Sequence, residues 1–311
     1  MRLVFMGTPE FSVPSLERLI ASQHQVVAVY TQPDRPAGRG RNLVSSPVKT
    51  AAARHGLQVV QPPTLKSAEA VAQLADFRPD VVVVAAFGQI LPQSVLEIPP
   101  YGCVNVHPSL LPKFRGASPV ASAILSGEEI TGVTIMLQEA GLDTGPVLAR
   151  AAISISPHDN TGSLTGKLSL ISAYLLQEAL GGWLRGEIVP RPQDEAEATY
   201  YAQLTKEEGE IDWQLSAVEI WRRVRAFNPW PGCYTKWHGK QLKIIEAVVL
   251  PEKGRKAGEV VALPGGEAEM GVGTGDGMLG VRRVQLEGRR VMTSAEFLRG
   301  QRDFVGAVLP S

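Results

Sequence analysis

The chain has 311 residues, 44% of them hydrophobic, and its 31 Lys plus Arg balance 31 Asp plus Glu; this suits a two-domain globular protein with a sizeable core, and the overall charge points to no particular partner. No apolar run approaches the ~20 residues that a membrane span needs, and the start passes into a strand-like pattern with no signal or transit peptide, so a cytoplasmic protein without a membrane partner is expected. Cys103 and Cys233 lie far apart with no Cys-x-x-Cys spacing, which indicates neither a disulfide framework nor a zinc cluster and predicts buried or incidental thiols.

Residues 3–6, 26–30, 59–60, 81–86 and 103–106 read as strands, with helices over 14–22, 48–55 and 67–77 between them. That alternation belongs to an α/β fold, a Rossmann-like parallel sheet with crossover helices. The run from Val81 to Ala86 is wholly apolar, as expected of a central strand covered on both faces. Two more strands follow at 131–138 and 147–154, then a long closing helix at 161–185. After Gly186 the polar, acidic and proline-punctuated stretch at 191–198 has linker composition. A helix at 216–226 leads into short glycine-broken β-runs at 241–250, 258–263, 269–273 and 279–286, the spacing of a small β-barrel. The expected organisation is an α/β domain over 1–189, a linker over 190–208 and a small barrel domain over 209–311.

Charge is unevenly spread. Arg35, Arg39, Arg41 and Lys49 have no acid among them, and 213–245 carries six Lys or Arg against Glu219 alone. Such local basic faces attract phosphate backbones, although solvated surface is the simpler reading of any one cluster.

Chemistry concentrates in two segments. Asn105 and His107 stand two apart at the end of an apolar strand, so their side chains leave one face of the sheet, at the strand end where α/β proteins bind ligands. Asp143 lies in a loop between two strands, flanked by Gly141 and Gly145. Taken alone, the histidine reads as a hydrogen-bonded structural residue and the aspartate as a turn residue.

Together these segments resemble the folate-dependent formyltransferase family, whose pattern is Asn-x-His on a strand, a Ser-Leu-Leu-Pro loop and an Asp in a Leu-Asp-x-Gly loop. Here they are Asn105 and His107, then Ser109, Leu110, Leu111 and Pro112, then Leu142-Asp143-Thr144-Gly145. Pro108 departs from the glycine of many relatives and removes no catalytic atom. The resemblance implies 10-formyltetrahydrofolate as formyl donor, with an amine attacking its formyl carbon. Asn105 and His107 would donate to the oxyanion that develops, and Asp143 would orient the imidazole, support its charged form and help move the proton. It also implies that the pterin is held by Ser109, Leu110, Leu111 and Pro112 and by Phe87, Gly88 and Ile90. No metal is expected, since no His-Glu-x-x-His or comparable cluster occurs.

Acceptors in the family include glycinamide ribonucleotide, amino-sugar nucleotides, methionyl-tRNA and water. Three segments resemble the members that act on initiator methionyl-tRNA. The loop from Thr31 to Arg41 is similar to their basic loop, with Arg39 and Arg41 available to RNA. Leu204-Thr-Lys-Glu-Glu208 is similar to their linker, placing Lys206 near RNA. Arg225-Ala-Phe-Asn-Pro-Trp-Pro-Gly232 matches the signature of their carboxyl-terminal domain, an oligonucleotide-binding type of barrel on which Arg222, Arg223 and Lys243 would form a basic face. Phe227 and Trp230 read as packing rather than base stacking. No obligatory protein partner is expected. A dinucleotide oxidoreductase is disfavoured because Gly7-Thr-Pro-Glu-Phe11 lacks Gly-x-Gly-x-x-Gly, and a catalytically silent RNA-binding scaffold is disfavoured by the intact Asn105, His107 and Asp143.

Overall fold

A computed structural model describes residues 1–37, 42–252, 255–263 and 265–311. The chain forms two compact units: Met1–Pro119, Ile130–Ser154 and Thr165–Tyr201 make the first, and Val120–Glu129, Ile155–Leu164 and Ala202–Ser311 the second.

In chain order the first part comprises β1 (Arg2–Gly7), α1 (Val13–Ile20), β2 (Gln25–Tyr30), the hairpin β3 (Arg35–Ala37) and β4 (Asn42–Val44), α2 (Pro47–Arg54), β5 (Val59–Val60), α3 (Ala68–Asp76) and β6 (Val81–Ala85). Then come α4 (Gln93–Leu96), β7 (Cys103–His107), β8 (Arg115–Gly116), α5 (Pro119–Leu125), β9 (Ile130–Leu137), β10 (Val147–Ser154), α6 (Thr161–Leu184) and β11 (Tyr200–Tyr201). Seven strands form one sheet in the order β10-β9-β7-β6-β1-β2-β5. The five from β7 to β5 run parallel, and β9 and β10 add an antiparallel edge. β6 is buried along its whole length between β1 and β7, which is why four successive valines and an alanine suit it. Leu74, Leu91, Val95 and Phe87 belong to the core cluster that also holds β6 residues Val82 and Val84.

The order places β2 and β5 on one side of β1 and β6 and β7 on the other, so the chain reverses direction between β1 and β6. Loops leaving these two strands diverge there and open the crevice in which α/β sheets bind ligands. Gly7 closes β1 because a Cβ there would lie 2.8 Å from Phe5 Cε1 and 3.0 Å from the Ala85 carbonyl. The segment after α6 has more order than its linker composition suggests. It contains a 3-10 turn at Glu195–Glu197, and β11 pairs in parallel with β8.

The second unit is led by α7 (Ala217–Ala226), which starts on a capping box between Ser216 and Glu219, a device that contributes about 1 kcal/mol. It continues through β12 (Cys233–Trp237), β13 (Lys240–Leu250), β14 (Val260–Ala262), β15 (Met270–Gly273), β16 (Met278–Leu286), β17 (Met292–Thr293) and α8 (Ser294–Gly300). Its sheet is antiparallel in the order β12-β13-β16-β15-β14, with β17 on β16. Among the described residues no ladder joins β14 to β12. Phe227 is buried as expected, whereas Trp230 is 53% exposed, against the packing expected of it. No described helix is long and apolar enough to cross a membrane.

Candidate active site

β7 lies between β6 and β9, and its register sets Asn105 opposite Val84 and Met136 and His107 opposite Thr134. Pro108 ends the strand by withdrawing a ladder donor, and the chain then folds back so that the Ser109 hydroxyl donates to the Lys113 carbonyl at 2.7 Å. Phe114 follows with φ of 62°, uncommon for a bulky residue. Its surroundings account for this: its N–H donates to Thr199 Oγ1 at 2.8 Å, and its carbonyl accepts from His107 Nε2 at 3.0 Å.

That last bond defines the histidine. A carbonyl only accepts, so Nε2 carries a proton and Nδ1 is the atom left for chemistry. Nδ1 faces Asp143 Oδ2 at 3.7 Å, an ion-pair distance rather than a hydrogen bond. The same Oδ2 accepts from the Gly116 N–H at 2.9 Å. Gly116 has φ of 109°, and a Cβ there would collide with the Tyr201 carbonyl, so only glycine presents this N–H to the carboxylate. Asn105, His107 and Asp143 are 8%, 5% and 8% exposed, largely shielded from bulk water. No described protein group hydrogen-bonds the Asn105 carboxamide, which leaves its N–H donors free for a ligand.

Thr8, Gln32, Phe87 and Gly88 line a cavity of about 310 Å³ at the reversal crevice, together with Arg35 and Ser46. Gln32 and Thr8 hydrogen-bond the Phe87 carbonyl at 3.3 and 2.9 Å, fixing the turn after β6. A larger groove of about 720 Å³ lies in the second unit, beside Trp221, Arg225 and Arg283, and neither cavity is lined by Asn105, His107 or Asp143.

The expected folate residues divide. Gly88 and Ile90 are exposed, Ile90 at 76%. Phe87 is a core residue, so its backbone is what it can offer a ligand. Ser109 is fully buried with its hydroxyl occupied, Leu111 and Pro112 are also buried, and Leu110 is half-buried, so Leu110 is the accessible side chain of these four. Of the expected RNA residues, Arg39 and Arg41 lie outside the described residues. Lys206 is exposed, and Arg222, Arg223 and Lys243 are half-buried. Arg222 packs its guanidinium against Gly127, and Arg223 reaches the Glu208 carbonyl at 3.4 Å. Lys49 is paired with Asp34 at 2.6 Å, which reduces the charge of the basic loop. Sequence reading missed Thr8, Gln32, Gly116 and Gln193; no local signal marks them, because each matters through a partner distant in sequence.

The chain has counterparts among known proteins. A formyl transferase family model matches residues 1–180, and a model of the formyl transferase C-terminal domain matches 203–302. The chain is 50% identical over 314 aligned residues to the methionyl-tRNA formyltransferase of Dehalococcoides mccartyi, covering 99% of this chain and 98% of that one. It is 52% identical to that of Roseiflexus castenholzii, covering 97% and 96%. Among solved structures, HypX from Aquifex aeolicus in complex with tetrahydrofolic acid shares the fold at a TM-score of 0.63 and 21% identity; 98% of this chain is covered but only 48% of that one. The sugar 3N-formyl transferase WlaRD does so at a TM-score of 0.66 and 16% identity, covering 93% and 99%. With both domain models matched and half of its residues shared along nearly its full length with methionyl-tRNA formyltransferases, the chain belongs to the formyl transferase family.

Proposed function

We propose that this protein transfers the formyl group of 10-formyltetrahydrofolate to the free amino group of initiator methionyl-tRNA, with Asn105, His107 and Asp143 as the reacting groups. One observation carries this reading: an unpartnered Asn105 carboxamide stands beside the His107–Asp143 pair at the end of β7, in a chain half identical to methionyl-tRNA formyltransferases.

The folate supplies the activated one-carbon unit. Asn105 donates an N–H to the formyl oxygen as negative charge gathers on it, an interaction that strengthens only as the transition state forms. His107 keeps its Nε2 proton on the Phe114 carbonyl and acts from Nδ1, donating to the same oxygen when charged. Asp143 balances that charge and accepts the proton shed by the attacking amine, for relay to the departing folate nitrogen. The backbone of Phe87 and Gly88, the exposed side chain of Ile90 and, in the loop of Ser109, Leu110, Leu111 and Pro112, the half-buried Leu110 with the loop backbone are assigned to the donor.

The basic loop with Arg39 and Arg41, then Lys206, and Arg222, Arg223 and Lys243 in the second unit are assigned to the tRNA. Both substrates belong to the cytoplasm, where the reaction is placed. The test is direct: incubate the purified protein with 10-formyltetrahydrofolate and charged initiator tRNA and separate formylmethionyl from methionyl product. Formylation of an amino-sugar nucleotide in preference to methionyl-tRNA overturns the acceptor; no formyl transfer to any amine overturns the activity.

A further inference from the structure

Residues 193–201 bear on the site from a distance. The Gln193 carboxamide donates to the carbonyls of Asp143 and Gly145, both at 2.8 Å, so both hydrogens on its nitrogen are used. Its Oε1 accepts from Arg115 Nε at 3.2 Å and Nη2 at 2.9 Å. Arg115 is fully buried and is held in turn by both carboxylate oxygens of Glu195, at 2.8 and 2.6 Å. Gln193 therefore has one orientation, since rotating it would set its N–H donors against the Arg115 guanidinium and its oxygen against two carbonyls.

The turn it grips is unusual. Asp143 has φ of 55°, a conformation that a residue other than glycine keeps only where its surroundings hold it. The two carbonyls bonded by Gln193 belong to this turn, and the turn sets the direction in which the Asp143 carboxylate leaves the backbone.

We propose that Gln193 is a positioning residue for formyl transfer: anchored on Arg115, it clamps the Asp143 turn and keeps the carboxylate facing Nδ1 of His107. The inference rests on the reading of Asp143 and His107 given above. Gln193 works only through the turn, so its effect requires the carboxylate it aims.

Gln193→Met keeps the side chain's length and removes both donors. It is compared with wild type, and again in an Asp143→Asn background, by kcat, by KM for 10-formyltetrahydrofolate and for methionyl-tRNA, and by melting temperature. A misplacement of this kind costs on the order of 10- to 100-fold in kcat while both KM values stay within about twofold. In the Asp143→Asn background the loss disappears, because no carboxylate remains to be aimed. A purely structural role lowers kcat by the same factor in both backgrounds, and that result, or wild-type kcat in Gln193→Met, overturns the proposal. Where Gln193→Met does not fold, Gln193→Glu keeps the bond to Arg115 and carries the same comparison. Full activity of Asp143→Asn alone removes the assignment of Asp143 itself; an impaired Asp143→Asn beside an unimpaired Gln193→Met removes only the role of Gln193.

Discussion

Asp143→Asn tests the centre of the proposed chemistry with little change of shape. The asparagine can turn its oxygen to the Gly116 N–H and so keep the 2.9 Å bond that the carboxylate makes. What it loses is the negative charge facing His107 Nδ1 at 3.7 Å. For a shielded pair, Coulomb's law with an effective dielectric near 20 gives about 4 kcal/mol of support for the charged ring, and about 1 kcal/mol at the dielectric of water. Only the part realised as the ring charges in the transition state affects turnover. The expected loss in kcat therefore lies between roughly fivefold and a thousandfold, near 30-fold if half of the upper figure is realised. Single-turnover formylation of charged initiator tRNA, read by separating formylmethionyl from methionyl product, measures it, with folate affinity and melting temperature unchanged. A folded Asp143→Asn enzyme with kcat within about threefold of wild type would show that no charged histidine is stabilised by this carboxylate.

Asn105→Ala and His107→Ala each lower kcat on the order of 100-fold or more while folate affinity holds, as removal of an oxyanion donor does; steady-state kinetics with equilibrium folate binding checks this, and near-wild-type turnover refutes it. Arg39→Ala weakens formylation at low tRNA concentration and leaves folate binding unchanged, whereas neutralising Arg222, Arg223 and Lys243 together flattens the salt dependence of tRNA binding, each lost phosphate contact reducing the slope by about one. Burial pushes the thiols of Cys103 and Cys233 up to about 12, so the native protein at pH 8 consumes no thiol reagent and the denatured protein consumes both equivalents. The bonds from Arg115 hold the Glu195 carboxyl below its ordinary value of 4.5. A depressed carboxyl contributes stability that is present above that value and is lost as the pH falls through the folded one. The melting-temperature difference between wild type and Glu195→Gln is therefore constant near neutrality and shrinks on acidification below pH 4.5.

Much of the first unit was legible because strand burial there is a local pattern. The run at 81–86 is apolar since both faces of β6 are covered, and Asn105 and His107 share a face because strand periodicity is two. Two elements of the second unit carried signals that the sequence reading passed over. In β12, Cys233, Thr235 and Trp237 are buried in alternation with Tyr234 and Lys236, and α8 begins on a capping box between Thr293 and Glu296.

Sequence by itself determined the alternation of strands and helices, the strand end at which a polar pair emerges from an apolar run, and the glycines that permit the Asp143 loop. Each follows from interactions within a few residues along the chain, where periodicity and turn chemistry operate. Tertiary structure alone decided that the carbonyl of Phe114, seven residues after His107, accepts a hydrogen bond from Nε2, that Asp143 faces Nδ1, and that a polar stretch of linker composition returns 78 residues along the chain to place Gln193 on Arg115. Those partners are selected by sheet pairing, β7 on β9 and β8 on β11. A buried arginine held by an exposed carboxylate looks, in sequence, like any surface ion pair, because what buries Arg115 is the exclusion of water by chain segments that local patterns do not bring together.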